Sequence, residues 1–390
     1  MKLKISILGS TGSIGSTTLK IIDKKKKLFS VNLLSAKKNI RLISNQIKKY
    51  NPKVFVVTDK KVYLKIKKKF KKSKTKIFNE FNNKSFLKSN ITVSSIPGIA
   101  GLKPTISMVS VSKKILIANK ESIICGWDLI KKKAQIHKTK IIPIDSEHFS
   151  ILKLLDNHKI KDIKKIYLTA SGGPFLNYKP NQLKSIKPEL ALKHPKWKMG
   201  KKISIDSATL MNKLLEIIEA QKLFNIPLSK LDVLIHPDSL VHAILELKNG
   251  LIKFIYHETT MVIPIANAIF ENNLNIDQFY KINQNKKISP IENLKFSKVN
   301  KKIFPIFKLK DRANEFISTP IIINAANELL IDLFLKKKIN FLDISKTIMK
   351  IMSDRNYKKY AIRNARNFQE IEFIDKWSKI TTMKKLKIYV

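Results

Sequence analysis

Two stretches of the sequence hold the residue types that metal and phosphate chemistry requires. In the first, Asp145-Ser146-Glu147 follows the apolar run 141–144, so two carboxylates stand two residues apart at the end of a predicted strand. Carboxylates in this arrangement can converge on a hard divalent cation such as Mg²⁺ or Mn²⁺. The same pattern, Asp or Ser followed by Glu, also suits the start of a helix. The triplet therefore leaves a metal site and a helix cap open as alternatives.

The second stretch runs from Ile203 to Glu216. Ser207 lies near a predicted helix start, where unpaired backbone amides favour phosphate. Asn212 and Glu216 are four residues apart and share a helix face, with Lys213 beside them. Such a helix could bind a phosphate at one end and a metal farther along. The alternative is a capped surface helix with a Lys213–Glu216 pair, which contributes only about 0.2–0.5 kcal/mol.

A glycine-rich turn, GSTGSIG at positions 9–15, directly follows the first predicted strand and opens a helix. Glycines at these positions permit a tight turn and close backbone approach, and the helix N-terminus favours a pyrophosphate. The spacing is G-x-x-G-x-x-G, a variant of the dinucleotide motif, and the alternative is a turn without a ligand. After the second predicted strand, Lys37-Lys38-Asn39 occupy the place where an NAD-preferring site usually has a carboxylate. This absence favours NADPH.

Two further segments carry polar groups that could contact a substrate. The turn 169–175 contains Ser171-Gly172-Gly173, which offers a hydroxyl and free amides to an oxyanion. The segment 194–200 has the composition of a mobile loop, with an imidazole at His194 and an aromatic lid at Trp197. Taken by itself, this segment is better explained as a surface loop that buries one Trp.

The elements that must position these residues alternate between strand and helix in the first half of the chain. We predict strands at Ile5–Leu8, Val31–Ser35, Val54–Thr58, Ile91–Ser95, Ile115–Ala118 and Ile141–Ile144. We predict helices at Ser16–Asp23, Ile40–Tyr50 and Pro104–Val111, and one more helix within the Lys-rich residues 59–90. Such alternation predicts a doubly wound, Rossmann-like parallel sheet over 1–149. The glycine-rich turn and the absent carboxylate make these residues the predicted NADPH-binding domain.

The pattern changes after residue 150. We predict strands at Ile166–Thr169, Ile203–Ile205, Val233–His236, Val241–Leu247 and Leu251–Tyr256, with helices at Ile151–Leu155 and Met211–Phe224. These elements predict a second α/β domain over 150–270, with some antiparallel pairing. Residues 271–300 are rich in Asn and Lys and are expected to be a linker. Helices at Ile321–Lys337, Phe341–Met352 and Tyr360–Ile380 then predict a C-terminal helical bundle over 301–390.

The net charge of +48 admits two explanations. One is binding to nucleic acid or to an anionic membrane. The other is drift in base composition: only five of the 77 basic residues are Arg, whereas phosphate recognition favours the bidentate Arg fork. We favour drift, and expect no specific nucleic acid and no membrane as partners.

The single cysteine, Cys125, cannot form an intrachain disulfide, and we see neither a targeting peptide nor a membrane span, so the expected location is cytoplasmic.

In this order, the motifs resemble those of the 1-deoxy-D-xylulose-5-phosphate reductoisomerase family over the whole chain. The resemblance rests on GSTGSIG at 9–15, ANKES at 118–122, the 145–147 triplet, SGGPF at 171–175, HPKWKMGKKISIDSATLMNK at 194–213, LIHP at 234–237 and NAANE at 324–328. It implies a homodimeric enzyme of isoprenoid precursor biosynthesis, with residues 150–270 as its catalytic and dimerisation domain. That enzyme uses NADPH and Mg²⁺ or Mn²⁺, with Co²⁺ as a further option, to convert 1-deoxy-D-xylulose 5-phosphate to 2-C-methyl-D-erythritol 4-phosphate.

The resemblance also implies a role for individual residues. NADPH would contact Thr11, Gly12, Ser13, Ile14, Asn39, Asn119, Glu121 and Gly200, with Lys37 and Lys38 beside Asn39. The metal would be held by Asp145, Glu147 and Glu216. The substrate phosphate would be held by Ser171, Ser207, Asn212 and Lys213. The sugar oxygens would be oriented by Lys120, Ser146 and His194, with Trp197 and Met199 covering the site.

The chain departs from the family pattern at three places. Lys37 replaces a Gly, Asp238 replaces a Gln, and Thr260-Met261-Val262 replaces Asp-Met-Arg.

Two other functions remain as alternatives. The first is another NADP-linked oxidoreductase such as a semialdehyde dehydrogenase, whose chemistry needs a nucleophilic cysteine. The second is a basic nucleic-acid-binding protein, which would leave the three carboxylates and the glycine-rich turn without a role.

Overall fold

Strands and helices alternate through the first part of the chain, as the sequence predicts. The computed structural model describes residues 2–156, 158–197, 199–271, 274–280 and 294–388. Its strands are β1 (Leu3–Leu8), β2 (Phe29–Ala36), β3 (Val54–Val57), β4 (Lys76–Phe78), β5 (Ser89–Ser94), β6 (Ser112–Ile117), β7 (Lys140–Pro143), β8 (Ile163–Ala170), β9 (Leu231–Ile235), β10 (Val241–Leu247), β11 (Ile252–Tyr256) and β12 (Ser297–Lys298).

The helices follow the same chain order. They are α1 (Ser13–Lys24), α2 (Ile40–Tyr50), α3 (Lys60–Lys69), α4 (Leu102–Val109), α5 (Lys120–His137), α6 (Ser146–Leu154), α7 (Pro188–Ala191), α8 (Lys201–Thr209), α9 (Met211–Phe224), α10 (Val262–Phe270), α11 (Thr319–Leu335), α12 (Phe341–Met352), α13 (Tyr357–Ala361) and α14 (Phe368–Lys385). None of the described helices is long and apolar enough to span a membrane.

The chain divides into two compact units, each discontinuous in sequence. The first unit comprises residues 1–122, 128–149 and 260–287, and the second comprises 123–127, 150–259 and 288–390. Helix α10 belongs to the first unit, although the sequence-based limits group its residues with the central domain. Its Phe270 ring packs edge-on against Phe29 at the start of β2, with the ring centroids 5.9 Å apart.

The first unit is built on a parallel sheet in the order β4-β3-β2-β1-β5-β6-β7. Its central strands are apolar on both faces, and residues such as Ile7, Leu33 and Val56 have no solvent exposure. Burial on both faces is what helices packed on the two sides of a parallel sheet require. The strand order reverses at β1, which pairs with both β2 and β5. Ligands of such sheets bind outside the carboxyl ends of the strands at this switch point.

The second unit contains a mixed sheet in the order β11-β10-β8-β9-β12. Strands β8 and β9 are parallel, so Ser171 and His236 follow the paired residues Ala170 and Ile235 at one edge of the sheet. The other pairings are antiparallel. Helices α11, α12 and α14 pack on one another and form the predicted helical bundle.

Three expectations from the sequence need correction. Ile203–Ile205 lies within helix α8 and is not a strand, because packing and an i,i+4 pair between Lys202 and Asp206 outweigh the β-propensity of two isoleucines. The single helix expected at 360–380 is two helices, since Asn367 caps a new helix by accepting a hydrogen bond from Glu370 N. The expected linker 271–300 includes β12 at its end, while its residues 272–273 and 281–293 lie outside the described part of the chain.

Candidate active site

The glycine-rich turn after β1 is shaped by two glycines that no other residue could replace without movement. Gly9 has a φ of +84°, and a Cβ there would lie 2.8 Å from the Ser95 carbonyl oxygen. A Cβ on Gly15 would lie 2.4 Å from the Gly9 carbonyl oxygen. The turn is also held to β2, because Gly9 N donates to Ser35 Oγ at 2.9 Å. The backbone thus reaches the carboxyl edge of the sheet in the tight form that dinucleotide sites need.

Helix α1 presents its first backbone amides at this edge. Gly12 is the N-cap and offers no side-chain cap, and the first turn of the helix carries no acidic residue. Gly12 and Ser13 are exposed, while Thr11 and Ile14 are half-buried. The first amides of a helix have no intrahelical acceptor and lie at the positive end of the helix dipole. The arrangement therefore fits a pyrophosphate.

The ends of β2 and β6 carry the other predicted cofactor residues of the first unit. Lys37, Lys38 and Asn39 are exposed, and the Asn39 side chain caps α2 by accepting from Leu42 N at 3.0 Å. Asn119 caps α5 in the same way and donates to Glu121 Oε2 at 2.9 Å. Both asparagines therefore cap helices that begin just after strands of the first sheet.

Asp145 serves as the helix cap that the sequence left open as an alternative. Its Oδ1 accepts from Glu147 N at 3.4 Å at the start of α6. The carboxylate also lies 3.6 Å from the buried Lys120 ammonium. Ser146 Oγ donates to Glu147 Oε2 at 2.6 Å. Four predicted residues, Lys120, Asp145, Ser146 and Glu147, therefore gather at the carboxyl end of β7.

The turn after β8 brings Ser171 close to α8 in the second unit. Ser171 Oγ accepts from Gly173 N at 3.1 Å. Gly173 has a φ of +62°, and a Cβ there would lie 2.9 Å from the Ser207 carbonyl oxygen. Glycine at this position therefore lets the turn approach the helix that carries Ser207. Leu210, at the junction of α8 and α9, has a left-handed φ of +65° that directs the chain into α9.

His194 is fixed in one tautomer by its neighbours. Its Nδ1 accepts from Trp197 N at 2.8 Å and from Lys196 N at 3.2 Å, so the proton of the neutral ring lies on Nε2. Nε2 then donates to Ser171 Oγ at 2.9 Å. Burial, followed by the positive charge of Lys213, lowers the pKa of His194 to about 4. Because Ser171 Oγ accepts from both Gly173 and His194, its own proton points toward a further acceptor.

The loop that carries His194 is attached at two more points in the second unit. The Trp197 ring lies edge-on to His242, with ring centroids 6.2 Å apart. Lys196 Nζ lies 3.3 Å from Asp238 Oδ1, so the residue that departs from the family pattern has an ion-pair partner here. Met199 is half-buried and Gly200 is the exposed N-cap of α8. Lys198 lies outside the described residues.

Helix α9 carries a polar triad on an otherwise buried surface. Glu216 is 1 % exposed, and its two oxygens accept from different neighbours. Asn212 Nδ2 donates to Oε1, and Lys213 Nζ donates to Oε2 at 2.6 Å. The i,i+3 pair is therefore a buried ion pair and not the surface pair that the sequence left open.

The predicted residues thus lie in two groups, one in each unit. In the first unit they follow the carboxyl ends of β1, β2, β6 and β7. In the second they lie on the turn after β8, the 194–200 loop, α8 and α9. Sequence reasoning missed the spacing role of Gly173 and the buried carboxylate of Asp206. The pair of adjacent glycines at 172–173 could have indicated the close approach at Gly173. No local feature of the sequence distinguishes Asp206.

Sequence models of one enzyme family match most of this chain. The model described as 1-deoxy-D-xylulose 5-phosphate reductoisomerase matches residues 5–126. Two C-terminal domain models of the same reductoisomerase match residues 141–224 and 258–381.

Curated relatives and solved structures agree with these matches. The 1-deoxy-D-xylulose 5-phosphate reductoisomerase of Pelagibacter ubique (strain HTCC1062) is 47 % identical over 375 residues, covering 95 % of this chain and 96 % of the relative. That of Wolbachia (strain wRi) is 42 % identical, with 90 % coverage of both chains. A crystal structure of DOX-P reductoisomerase with NADPH, fosmidomycin and magnesium has a TM-score of 0.90 and 30 % identity, covering 99 % of this chain and 98 % of its own. The Zymomonas mobilis enzyme with NADPH has a TM-score of 0.85 and 29 % identity, with both chains fully covered.

Proposed function

Because the chain belongs to the 1-deoxy-D-xylulose 5-phosphate reductoisomerase family, we propose that it converts 1-deoxy-D-xylulose 5-phosphate to 2-C-methyl-D-erythritol 4-phosphate with NADPH and a divalent cation. The observation that carries this proposal is 47 % identity to a curated member over 95 % of the chain. A semialdehyde dehydrogenase is not favoured, because its chemistry needs a reactive cysteine and Cys125 is buried within α5.

The first unit fits NADPH. The turn 9–15 brings its backbone to the switch point of the sheet, and α1 presents amides to a pyrophosphate without a competing carboxylate. Lys37, Lys38 and Asn39 follow β2, where an acidic residue would repel a 2′-phosphate. Asn119 and Glu121 complete the proposed contacts from the first unit, and Gly200 is proposed to add one from the second.

The residues also fit a hard cation such as Mg²⁺ or Mn²⁺. Asp145, Glu147 and Glu216 each offer a carboxylate oxygen, the donor type that these cations prefer. We propose that all three bind one ion, and that Asn212 and Lys213 hold the Glu216 carboxylate ready in its absence. When bound, the cation supplies Lewis-acid stabilisation of charge on the substrate oxygens, and NADPH supplies a hydride.

Ser171, Ser207, Asn212 and Lys213 are proposed to bind the substrate phosphate. The support for this assignment is that the second unit orients the Ser171 hydroxyl proton away from His194 and brings Ser207 alongside through Gly173. Charged donors such as the Lys213 ammonium form the stronger hydrogen bonds to phosphate. Binding of the phosphate positions the reacting carbons. Binding energy from this non-reacting group thereby lowers the barrier of the chemical step.

The reaction must move a carbon–carbon bond before reduction, because direct hydride transfer to the ketose would give only a straight-chain polyol. A retro-aldol and aldol sequence yields a branched aldehyde, which is then reduced. Lys120, Ser146 and His194 are proposed to orient the sugar oxygens, with the Nε2 proton of the neutral His194 ring directed at Ser171 Oγ. Trp197 and Met199 would cover the site and exclude water.

One assay tests the proposed function. NADPH oxidation is followed with 1-deoxy-D-xylulose 5-phosphate, with and without Mg²⁺, and the product is identified. We expect a branched polyol phosphate, and the synthetic branched aldehyde should be reduced to the same product. Glu216→Gln should abolish turnover and leave NADPH binding nearly intact. The control Glu246→Gln, on strand β10, should keep both turnover and NADPH binding near wild type. A straight-chain polyol, or an inert aldehyde, would show that the assigned reaction is wrong.

We also propose that the protein is a homodimer and acts in the cytoplasm, where its one cysteine would stay reduced. Strand β11 forms an edge of the second sheet, with Ile252 and Phe254 on one face and exposed by 63 % and 44 %. An exposed apolar edge strand favours pairing with another chain. Sedimentation should therefore give twice the mass of 44.9 kDa, and Phe254→Lys should shift the protein toward monomer. A wild-type monomer at micromolar concentration would contradict this.

A further inference from the structure

Asp206 is a deeply buried carboxylate one residue before Ser207. It is 1 % exposed. Its Oδ1 accepts from Asn327 Nδ2 at 2.7 Å, and its Oδ2 accepts from Lys202 Nζ at 2.9 Å. A buried charge is stable only when it is paired and hydrogen-bonded, and loss of one partner is costly. The Asp206 carboxylate therefore ties α8 to α11 across 121 residues of sequence.

The α11 end of this bond is rigid. Asn327 has no solvent exposure, and most residues of α11 are buried. Helix α11 packs against α12 and α14, and Ser378 Oγ of α14 donates to its Ile322 carbonyl oxygen at 2.8 Å. Because close-packed interiors are hard to deform, the Asn327 side chain has a fixed position and can restrain α8 through its hydrogen bond to Asp206.

Helix α8 is also contacted by the turn after β8. The Gly173 backbone is so close to Ser207 that a Cβ would lie 2.9 Å from the Ser207 carbonyl oxygen and 3.3 Å from Ala208 Cα. The backbone at Ser207 is therefore contacted by this turn, and the residue before it is bonded to Asn327. A shift of α8 would change the separation of the Ser171 and Ser207 hydroxyl groups.

We propose that Asp206 and Asn327 are positioning residues for the substrate phosphate. The buried bond between them holds α8 so that Ser207 stays in register with Ser171, and Lys202 balances the charge of the Asp206 carboxylate. The inference rests on the proposed function, in which Ser171 and Ser207 bind the phosphate. Neither positioning residue touches the substrate.

The test compares Asn327→Leu with wild type, using inorganic phosphate as the binding probe and 1-deoxy-D-xylulose 5-phosphate as the substrate. A hydrogen bond to a charged group corresponds to a change of about tenfold or more. We expect the Kd of phosphate and the KM to rise by about that factor, with a smaller fall in kcat and unchanged NADPH affinity. If Asn327→Leu does not fold, Asn327→Ser, which is too short to reach Asp206, replaces it.

A charge-swapped pair supplies the rescue. In Asp206→Asn/Asn327→Asp, the new amide can donate to residue 327 and accept from Lys202, so the bond is restored with donor and acceptor exchanged. Phosphate affinity should return toward wild type. Ser378→Ala is the matched control, because it removes a buried hydrogen bond to the same helix without touching α8; it should lower stability only.

The outcomes separate the two proposals. If Asn327→Leu lowers the Tm but leaves the Kd of phosphate unchanged, or if Ser378→Ala raises that Kd equally, the bond is merely structural and the inference fails. A swap that shows no recovery of phosphate affinity overturns it as well. If wild type binds phosphate as described but does not convert the substrate, the proposed function fails and the positioning of a phosphate site stands.

Discussion

Protonation of His194 should require a pH near 4, which keeps the imidazole neutral under working conditions. A second proton would have to sit on Nδ1, the atom that accepts from Trp197 N and Lys196 N. Protonation would replace two attractive contacts by repulsive ones, and it would place a cation in a half-buried position beside Lys213. These are the burial and charge that lower the pKa of His194 from 6.5 to about 4.

The magnitude follows from this pKa difference. Each pKa unit corresponds to about 1.4 kcal/mol, so the full shift would be about 3 kcal/mol. The ring keeps partial contact with water, whose screening reduces the contribution to about 1–2 kcal/mol. The folded pKa lies below the unfolded one, so the neutral ring contributes its full stability above pH 6.5. That contribution is lost progressively as the pH falls toward 4.

The assay is an NMR titration of the histidine Cε1 signals, with His194 assigned from the spectrum of His194→Gln. The same variant is compared with wild type in urea unfolding at pH 7 and below. Wild type should lose about 1–2 kcal/mol more stability on acidification than the variant, which lacks the titrating group. A midpoint for His194 near 6.5, or equal acid sensitivity of both proteins, would refute the reasoning.

Three further predictions concern cofactor and charge. Gly15→Ala places a Cβ 2.4 Å from the Gly9 carbonyl oxygen, an overpacking that costs about 1–3 kcal/mol. The Kd of NADPH should therefore rise about ten- to a hundredfold, while phosphate binding is unchanged. Unchanged NADPH affinity would contradict the described turn. The specificity constant should be higher for NADPH than for NADH, since no acidic residue follows β2, and equal constants would exclude this. Nucleic-acid binding should be weak and steeply salt-sensitive in a filter-binding series, and sequence-selective binding at physiological salt would revive the rival function.

Much of the fold and of the site could be predicted because the signals are local. The first sheet follows from apolar runs separated by helical stretches, since a strand buried on both faces must be apolar throughout. The glycine-rich turn is visible because a left-handed φ at Gly9 and the close approach at Gly15 select for the absence of a side chain. The order of the motifs along the chain indicated the family, and the similarity to known reductoisomerases confirmed it.

The wrong secondary-structure predictions arose where tertiary contacts outweigh the local sequence pattern. The two isoleucines at 203 and 205 predicted a strand, yet α8 forms because its Lys202–Asp206 pair and its packing in the second unit favour a helix. The helix predicted over 360–380 is interrupted because the Ala361 carbonyl accepts from the distant Ser318 N and because Asn367 caps a new helix by accepting from Glu370 N. Local propensity is a weak term that tertiary packing overrides.

By itself, the sequence determined the residue types available for metal, phosphate and cofactor chemistry, and the helices and strands that carry most of them. Only the tertiary structure decided the environments of those residues. It made Lys213–Glu216 a buried pair, lowered the pKa of His194, and linked Asp206 to Asn327 across 121 residues. Burial and long-range hydrogen bonds depend on which elements pack together, and that information is distributed over the whole chain rather than present at any one motif.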